Sequence, residues 1–387
     1  MFFLLKMLVA LTLQKYERGI FMKRVLCLIS CMNTGGAETF LMKIYRQIDK
    51  TKYQMDFGVN MQQKGFYDDE IIALGGKIYY IPPKSSNIKE YKNQLDTVIR
   101  KEKYEVVLRI TSSAAGFLDL KIAKKAGVKR CCARSSNSSD GGSMLSVIAH
   151  RMGRLLYGRY VDVKIAPSDL AAKYTFGKKA YDNHEVKILH NAVDTSIFQY
   201  KESYRSQIRN ELAIEKDAVV IGHVGRFYEQ KNHVFLIKIF EEICKINKDA
   251  LLLLVGDGPL EGSIREMIEN RHLENRVIFL GVRSDIDQIL SAMDVFVLPS
   301  LYEGMPNVVV EAQATGLPAV LSDTITQEVN ITGLVEFCSL LESENVWAKK
   351  ILSKTGIQRE SRGQQFVKEQ YDIQSVADQF IEIIFGD

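Results

Sequence analysis

At 387 residues the chain is long for one domain and suits two of ordinary size. Its 51 Lys and Arg against 47 Asp and Glu leave a net charge of +4, too small an excess to argue for nucleic acid, and no nucleic-acid-binding motif is present. Hydrophobic residues at 46% with charged residues at 25% give the balance of a soluble globular protein.

In chain order, the opening "MFFLLKMLVALTL" is apolar for about a dozen residues, too short to span a bilayer. No small-residue cleavage site precedes "QKYERG". Residues 1–21 are therefore read as a start-site artefact or dispensable extension, with a weak membrane anchor as the alternative. The first buried strand starts at Met22 with "MKRVLCLIS".

Short apolar runs then alternate with amphipathic helical segments, the pattern of parallel sheets covered by helices. Strands are predicted at 24–30, 55–60, 77–81, 105–110, 130–134, 162–166 and 186–190, then at 218–224, 250–255, 277–280, 294–298 and 318–322. Helices are predicted to fill the gaps between them, for example at 37–48, 87–102, 144–158, 231–247, 260–270 and 284–292. The series restarts near 218, where "DAVVIGHVGRF" repeats the role of "KRVLCLISCMNTGG": a buried strand, a glycine-bearing loop, then a helix. The expected fold is α/β, two doubly wound Rossmann-like domains facing across a cleft, with ligand beyond the C-terminal strand ends. The expected domains are 22–195 and 196–371, split in the polar stretch 195–215, with 372–387 an amphipathic helix crossing back to the first domain. The six cysteines, Cys27, Cys31, Cys131, Cys132, Cys244 and Cys338, lack metal-ligand spacing, and most are expected to be reduced and core-packing.

Chemistry concentrates in "LPSLYEGMPNVVVEAQATGLP", residues 298–318. Pro306 suits the first helical position, Gly316 the position just past the helix end, and Pro318 forbids continuation. Glu303 then precedes a helix that carries Glu311 about 7 to 8 Å along its axis. A helix start attracts a diphosphate through its amides and dipole, and a carboxylate farther along can accept both hydroxyls of a ribose. The bland alternative is a solvated helix position for Glu311 and an exposed loop residue for Glu303.

In "HVGRFYEQKNH", Arg226 follows a strand and Lys231 opens the next helix, so both cations can reach one anion. Ordinary surface charge is the alternative. In "SCMNTGGAETF", Gly35 and Gly36 at a helix entrance permit close backbone approach to a phosphate or sugar, or simply form a turn. Neither GxGxxG nor a Walker loop is present.

Together "GGAE", "GRFYEQKNH", "VGDGP", "FLG" and "VLPSLYEGMPNVVVEAQATGLPAV" occur in an order that resembles glycosyltransferase family four, retaining GT-B enzymes, over residues 22 to about 385. The chain is most similar to members from bacterial capsular and exopolysaccharide clusters. The resemblance implies a hexosyl-transferring enzyme with a nucleotide-sugar donor, uridine as its base, and a glycan or lipid-linked saccharide acceptor. It implies no cofactor and no metal, and no Asp-x-Asp motif occurs. Arg226, Lys231 and Glu303 would be catalytic. The first two would bind the pyrophosphate, Glu303 with Gly304, Met305, Pro306, Asn307 and Val308 the sugar and diphosphate, and Glu311 the ribose. Gly35 and Gly36 would approach the phosphates from the other domain.

Asn191 matches a family position near the hinge, with a turn-forming role as its alternative, and "VGDGP" is read as a turn into a helix at Pro259. Where the family carries histidines after the fifth strand, this chain reads "ARSSNSS", so Arg134, Ser135 and Asn137 are the acceptor-side candidates. A nucleotide-sugar epimerase and a non-catalytic donor-binding partner of another transferase remain alternatives. Residues 143–160, with apolar Leu145, Ile148, Met152 and Leu155 and cationic Arg151, Arg154 and Arg159, could dock a cytoplasmic protein on the inner face of the membrane. A core-packed helix with solvated arginines is the other reading.

Overall fold

The computed structural model describes residues 22–136 and 144–386. They form two compact units: residues up to Ser136, those up to Leu189 and those from Ala377 in one, His190–Val376 in the other.

The first unit holds a seven-stranded sheet of β1 (Lys23–Ile29), β2 (Tyr53–Val59), β3 (Ile78–Tyr80), β4 (Val106–Thr111), β5 (Arg130–Ser135), β6 (Val163–Ala166) and β7 (Val186–Ile188). The strands lie in the order β3-β2-β1-β4-β5-β6-β7, and every pairing is parallel. The second unit holds six strands: β8 (Val219–Val224), β9 (Ala250–Val255), β10 (Val277–Gly281), β11 (Val295–Leu298), β12 (Ala319–Ser322) and β13 (Val335–Cys338). Their order is β10-β9-β8-β11-β12-β13, again parallel throughout. Both units are doubly wound, as the alternation of apolar runs and amphipathic helices requires. β1 and β8 occupy matching places, each beside the point where strand order reverses, so the sequence repeat at 218 is a repeat of fold.

Central strands are buried on both faces and read as continuous apolar runs rather than alternations. "ALLLLV" in β9 is such a run. In the second unit two apolar cores cover the sheet's two faces, one around Val309, Leu298 and Phe296 and one around Phe240, Ile237 and Trp347.

The boundary falls six residues earlier than the expected 195/196. Val193 N–H donates to Tyr371 O at 2.9 Å and Ile373 N–H to Val193 O at 2.9 Å, and the His190 ring stacks on Tyr371 with centroids 4.0 Å apart. These contacts bind the segment from His190 to the second unit. The last helix, Ile373–Phe385, belongs to that unit through Val376 and to the first from Ala377. Within the first unit its Ile383 carbonyl accepts from Arg130 Nη2 at 2.7 Å and its Phe385 ring meets Tyr53 at 4.9 Å.

Two elements depart from expectation. β13 was not predicted, and the polar stretch read as an interdomain boundary contains a helix, Glu202–Glu211. That helix is held by arginine: Arg209, 4% exposed, donates to Asp294 Oδ2 at 2.8 Å and to the carbonyls of Ala292 and Ala218. The six cysteines carry free thiols.

Candidate functional site

β8 and β11 pair at the place where strand order reverses, so the loops that leave their C-terminal ends lie side by side, where doubly wound sheets bind ligands. The two loops are sewn together. Leu301 N–H donates to Gln230 O at 2.8 Å, Gln230 Nε2 to Tyr302 O at 2.9 Å and Asn232 Nδ2 to Pro299 O at 3.1 Å. Asn232 adopts the left-handed conformation (φ 55°) that Asn tolerates, which ends the single 3-10 turn Glu229–Lys231 and starts the helix His233–Ile246. Lys231 therefore sits before that helix rather than inside it.

This stitching brings Lys231 Nζ to 2.6 Å from Glu303 Oε1, with the two side chains only 18% and 10% exposed. Ser300, fully buried, donates its hydroxyl to the same carboxylate oxygen at 3.0 Å. The Ser300 carbonyl in turn accepts from Ser322 Oγ at 2.6 Å and Thr324 Oγ1 at 2.9 Å at the end of β12. Glu303 is thus fixed by a chain of hydroxyls, none singled out from the sequence. Gly225 leaves the room: a Cβ there would meet Lys231 Cε at 3.1 Å and His223 Nε2 at 3.2 Å.

Beneath Lys231 lie two buried histidines. His223 Nδ1–H donates to Val297 O at 2.9 Å, and the His233 ring stands edge-on to it with centroids 4.7 Å apart and stacks on Phe227 at 4.2 Å. Burial holds both rings neutral, His223 well below the usual range and His233 at about 4.

Arg226 stands apart from this pair. It is exposed, and its guanidinium lies 5.4 Å from the Tyr228 ring centroid. Its loop is fixed by "VGDGP", which does more than turn into a helix: Gly225 N–H donates to Val255 O and Phe227 N–H to Asp257 O. Gly256 and Gly258 have φ of 131° and 150°, and a Cβ on either would meet the backbone of Gly225 or Phe227 at under 3 Å. The next helix starts at Glu261, not at Pro259.

The helix after Glu303 spans Asn307–Ala314. Pro306 is its cap and not its first helical residue, because ψ is 113°, and no cap side chain bonds to the first turn. Asn191 Nδ2 donates to Met305 O at 2.8 Å, which ties this loop to the segment after β7. Met305 and Pro306 are buried, Gly304, Asn307 and Val308 half-buried. Glu311 is fifth in the helix and half-buried, about 6 Å along the axis from Asn307. Gly316 (φ 70°) closes the far end: its N–H donates to Gln313 O and that of Leu317 to Ala312 O, the paired bonds of a Schellman turn.

In the first unit Gly35 caps the helix Gly36–Gln47 in extended conformation, after β1 and beside the β1–β4 reversal. A Cβ on Gly35 would reach Glu38 Oε2 at 2.3 Å. The acceptor-side expectation needs correction. Arg134 and Ser135 lie in β5, a strand buried on both faces, at 2% and 0% exposure. Arg134 packs its guanidinium 3.7 Å from the Phe40 ring centroid and donates to Leu189 O, and loss of water lowers its pKa to about 9. Ser135 Oγ lies 2.6 Å from Thr175 Oγ1. Both are interior groups, while Asn137 lies outside the described residues. Among the described residues no cluster of three or more His, Cys, Asp or Glu side chains is arranged to hold a metal ion.

Comparisons with known proteins identify the family. The family model "Glycosyl transferases group 1" matches residues 205–335, which include every site residue of the second unit except Asn191. The putative glycosyltransferase EpsF of Bacillus subtilis is 36% identical over 355 residues, 90% of this chain and 91% of that protein. This chain belongs to the group 1 glycosyltransferases. The enzyme is also 29% identical over 290 residues to the Escherichia coli UDP-Gal:alpha-D-GlcNAc-diphosphoundecaprenol alpha-1,3-galactosyltransferase, covering 70% of this chain and 72% of that one. Its fold is that of Anabaena HepE, solved in complex with UDP and glucose, at TM-score 0.78 and 20% identity over 95% of this chain and all of that one. The glycosyltransferase is therefore of the GT-B type that its motifs resemble.

Proposed function

We propose that the enzyme moves a sugar, with retention of configuration, from a uridine diphosphate donor to a growing lipid-linked glycan in capsular or exopolysaccharide synthesis. The observation that carries this reading is the meeting of Lys231 and Glu303 at the β8–β11 reversal, at the foot of the helix that presents Glu311. Two of the relatives support the donor and acceptor classes: the E. coli enzyme is named for transfer from UDP-Gal to a diphosphoundecaprenol-linked sugar, and HepE was solved with UDP and glucose.

In this reading Lys231 and Arg226 take the diphosphate, with the positive end of the Asn307–Ala314 helix behind them. Glu303 accepts from the sugar hydroxyls and Glu311 from the ribose. As the bond from the anomeric carbon to the diphosphate breaks, the two cations and the helix dipole meet the charge that develops on the leaving group. The acceptor hydroxyl attacks from the face the diphosphate leaves, and its proton passes to a departing phosphate oxygen. The reaction needs no metal or cofactor, and takes place in the cytoplasm at the inner face of the cell membrane.

Thermal shift against a panel of nucleotide sugars should single out a uridine-linked donor, because only a ligand of the folded state raises the transition. Arg226→Ala and Glu311→Ala should each lose transfer with the melting temperature unchanged, and transfer should run at full rate in excess chelator. Undiminished turnover in either variant would overturn the assignment of that residue.

A further inference from the structure

The helix Met144–Tyr157 is seated through one side only. His150 is buried, with Nδ1 accepting from Ala114 N–H at 3.2 Å, and a Cβ on Gly153 would strike the Ala114 backbone at 2.5 Å. The opposite side carries Met144, Leu145, Ile148, Met152, Leu155 and Leu156, between 46% and 80% exposed. At 100° per residue these six fall within an arc of about 120°. Expectation had left open whether this apolar stripe packs into the core; it faces outward.

Arg151 and Arg154 lie along one rim of the stripe. Beside them opens a cavity of about 420 Å³, lined by Arg151, Arg154, Leu155, Phe176, Lys179, Ala180 and Glu185. Its one carboxylate, Glu185, pairs with Lys164 and also lies in the field of Lys179. No ion pair joins Arg151, Arg154 or Lys179 to a carboxylate among the described residues. No Asp or Glu occurs between residues 143 and 161, and the next, Asp162, pairs with Lys124. An outward apolar stripe thus borders a pocket in which three cations face a single carboxylate that Lys164 already pairs.

We propose that Met144–Tyr157 lies in the interface of an anionic bilayer, with the Arg151–Arg154–Lys179 pocket holding the phosphate of a lipid headgroup. Apolar side chains enter the acyl boundary, and the rim cations stay at the depth of the phosphates. This rests on the membrane placement proposed above and not on the donor chemistry. It adds to that placement the surface that docks and the lipid chemistry that it reads.

The full chain is pelleted with vesicles of phosphatidylcholine alone and with vesicles containing phosphatidylglycerol. The wild type should bind the anionic vesicles at least tenfold more tightly. The double variant Arg154→Ala/Lys179→Ala should lose roughly 25-fold on anionic vesicles, about fivefold per cation, whereas Lys89→Ala/Lys92→Ala, exposed cations elsewhere on the same unit, should lose far less. Leu145→Asp/Leu155→Asp should abolish binding to both vesicles with an unchanged melting temperature, since both side chains are exposed. If the two lysine-bearing double variants lose equally, the pocket is not a headgroup site and only overall charge acts. If the leucine variant still pellets, another surface docks and the membrane placement survives without this helix. If the wild type binds neither vesicle, both the inference and the placement fall.

Discussion

The neutral pair His223 and His233 sits under the cation that the proposed chemistry needs most. A proton on either ring would put a second positive charge beneath Lys231, and burial prevents this near neutral pH. Both rings have lower pKa values in the folded protein than the ordinary 6.5 of an exposed histidine. Below that pH the unfolded chain therefore binds more protons than the folded one, and stability falls as the solution is acidified. For His233 the loss runs down to about 4, where the folded ring itself titrates. The slope approaches about 1.4 kcal/mol per pH unit for each ring. His233→Phe keeps the stack on Phe227 and removes one titrating group. Urea midpoints between pH 7 and 5 should fall less steeply in this variant than in the wild type, and equal slopes would show that the ring does not govern the acid response. Lys231, Glu303 and Glu311 were singled out in the sequence because a motif spaced them. Ser300 and the two histidines were not, because a serine before a loop or a histidine in a strand gains its role only from a partner on another strand.

Among elements, the helix Asn307–Ala314 was legible to within one residue because proline and glycine mark its ends. β13 was missed because "VEFC" is a short strand at the sheet edge, with no apolar run to announce it. The helix Glu202–Glu211 hid behind a composition that reads as linker, because it seats on a buried arginine as well as on Ile208. The loop "VGDGP" was read too lightly for a similar reason: what its glycines avoid is the backbone of another loop. Gly258→Ala would drive a Cβ to within 2.7 Å of Phe227 O at a φ that L residues rarely adopt, and Gly316→Ala would put one 2.1 Å from Glu360 O. Each should cost about 2 kcal/mol or more, read as a shift of the urea midpoint. The two differ in function. Gly258 braces the Arg226 loop, so its variant should also weaken donor binding in calorimetry. Gly316 closes a helix at the end away from Glu303, so its variant should leave donor affinity near that of the wild type once folded.

At the scale of the whole molecule, each unit has its own parallel sheet and core, and both cations assigned to the leaving diphosphate, Arg226 and Lys231, belong to the unit spanning His190–Val376. A nucleoside diphosphate that binds only the folded form of that unit stabilises it by mass action, by about 2.7 kcal/mol at a hundred times its dissociation constant. Amides that exchange only when the unit opens should then slow by roughly 100-fold. In hydrogen exchange with uridine diphosphate, the slowing should appear in β8, β11 and the helices His233–Ile246 and Asn307–Ala314. Within those elements it should be greatest toward the C-terminal ends of the strands, where the Gln230–Tyr302 and Asn232–Pro299 bonds join the two loops. Lys231→Ala should remove most of the effect without changing exchange in the ligand-free protein's β9. Protection confined to the first sheet would place the nucleotide on the other unit, and Lys231 and Glu303 would then be a structural ion pair alone.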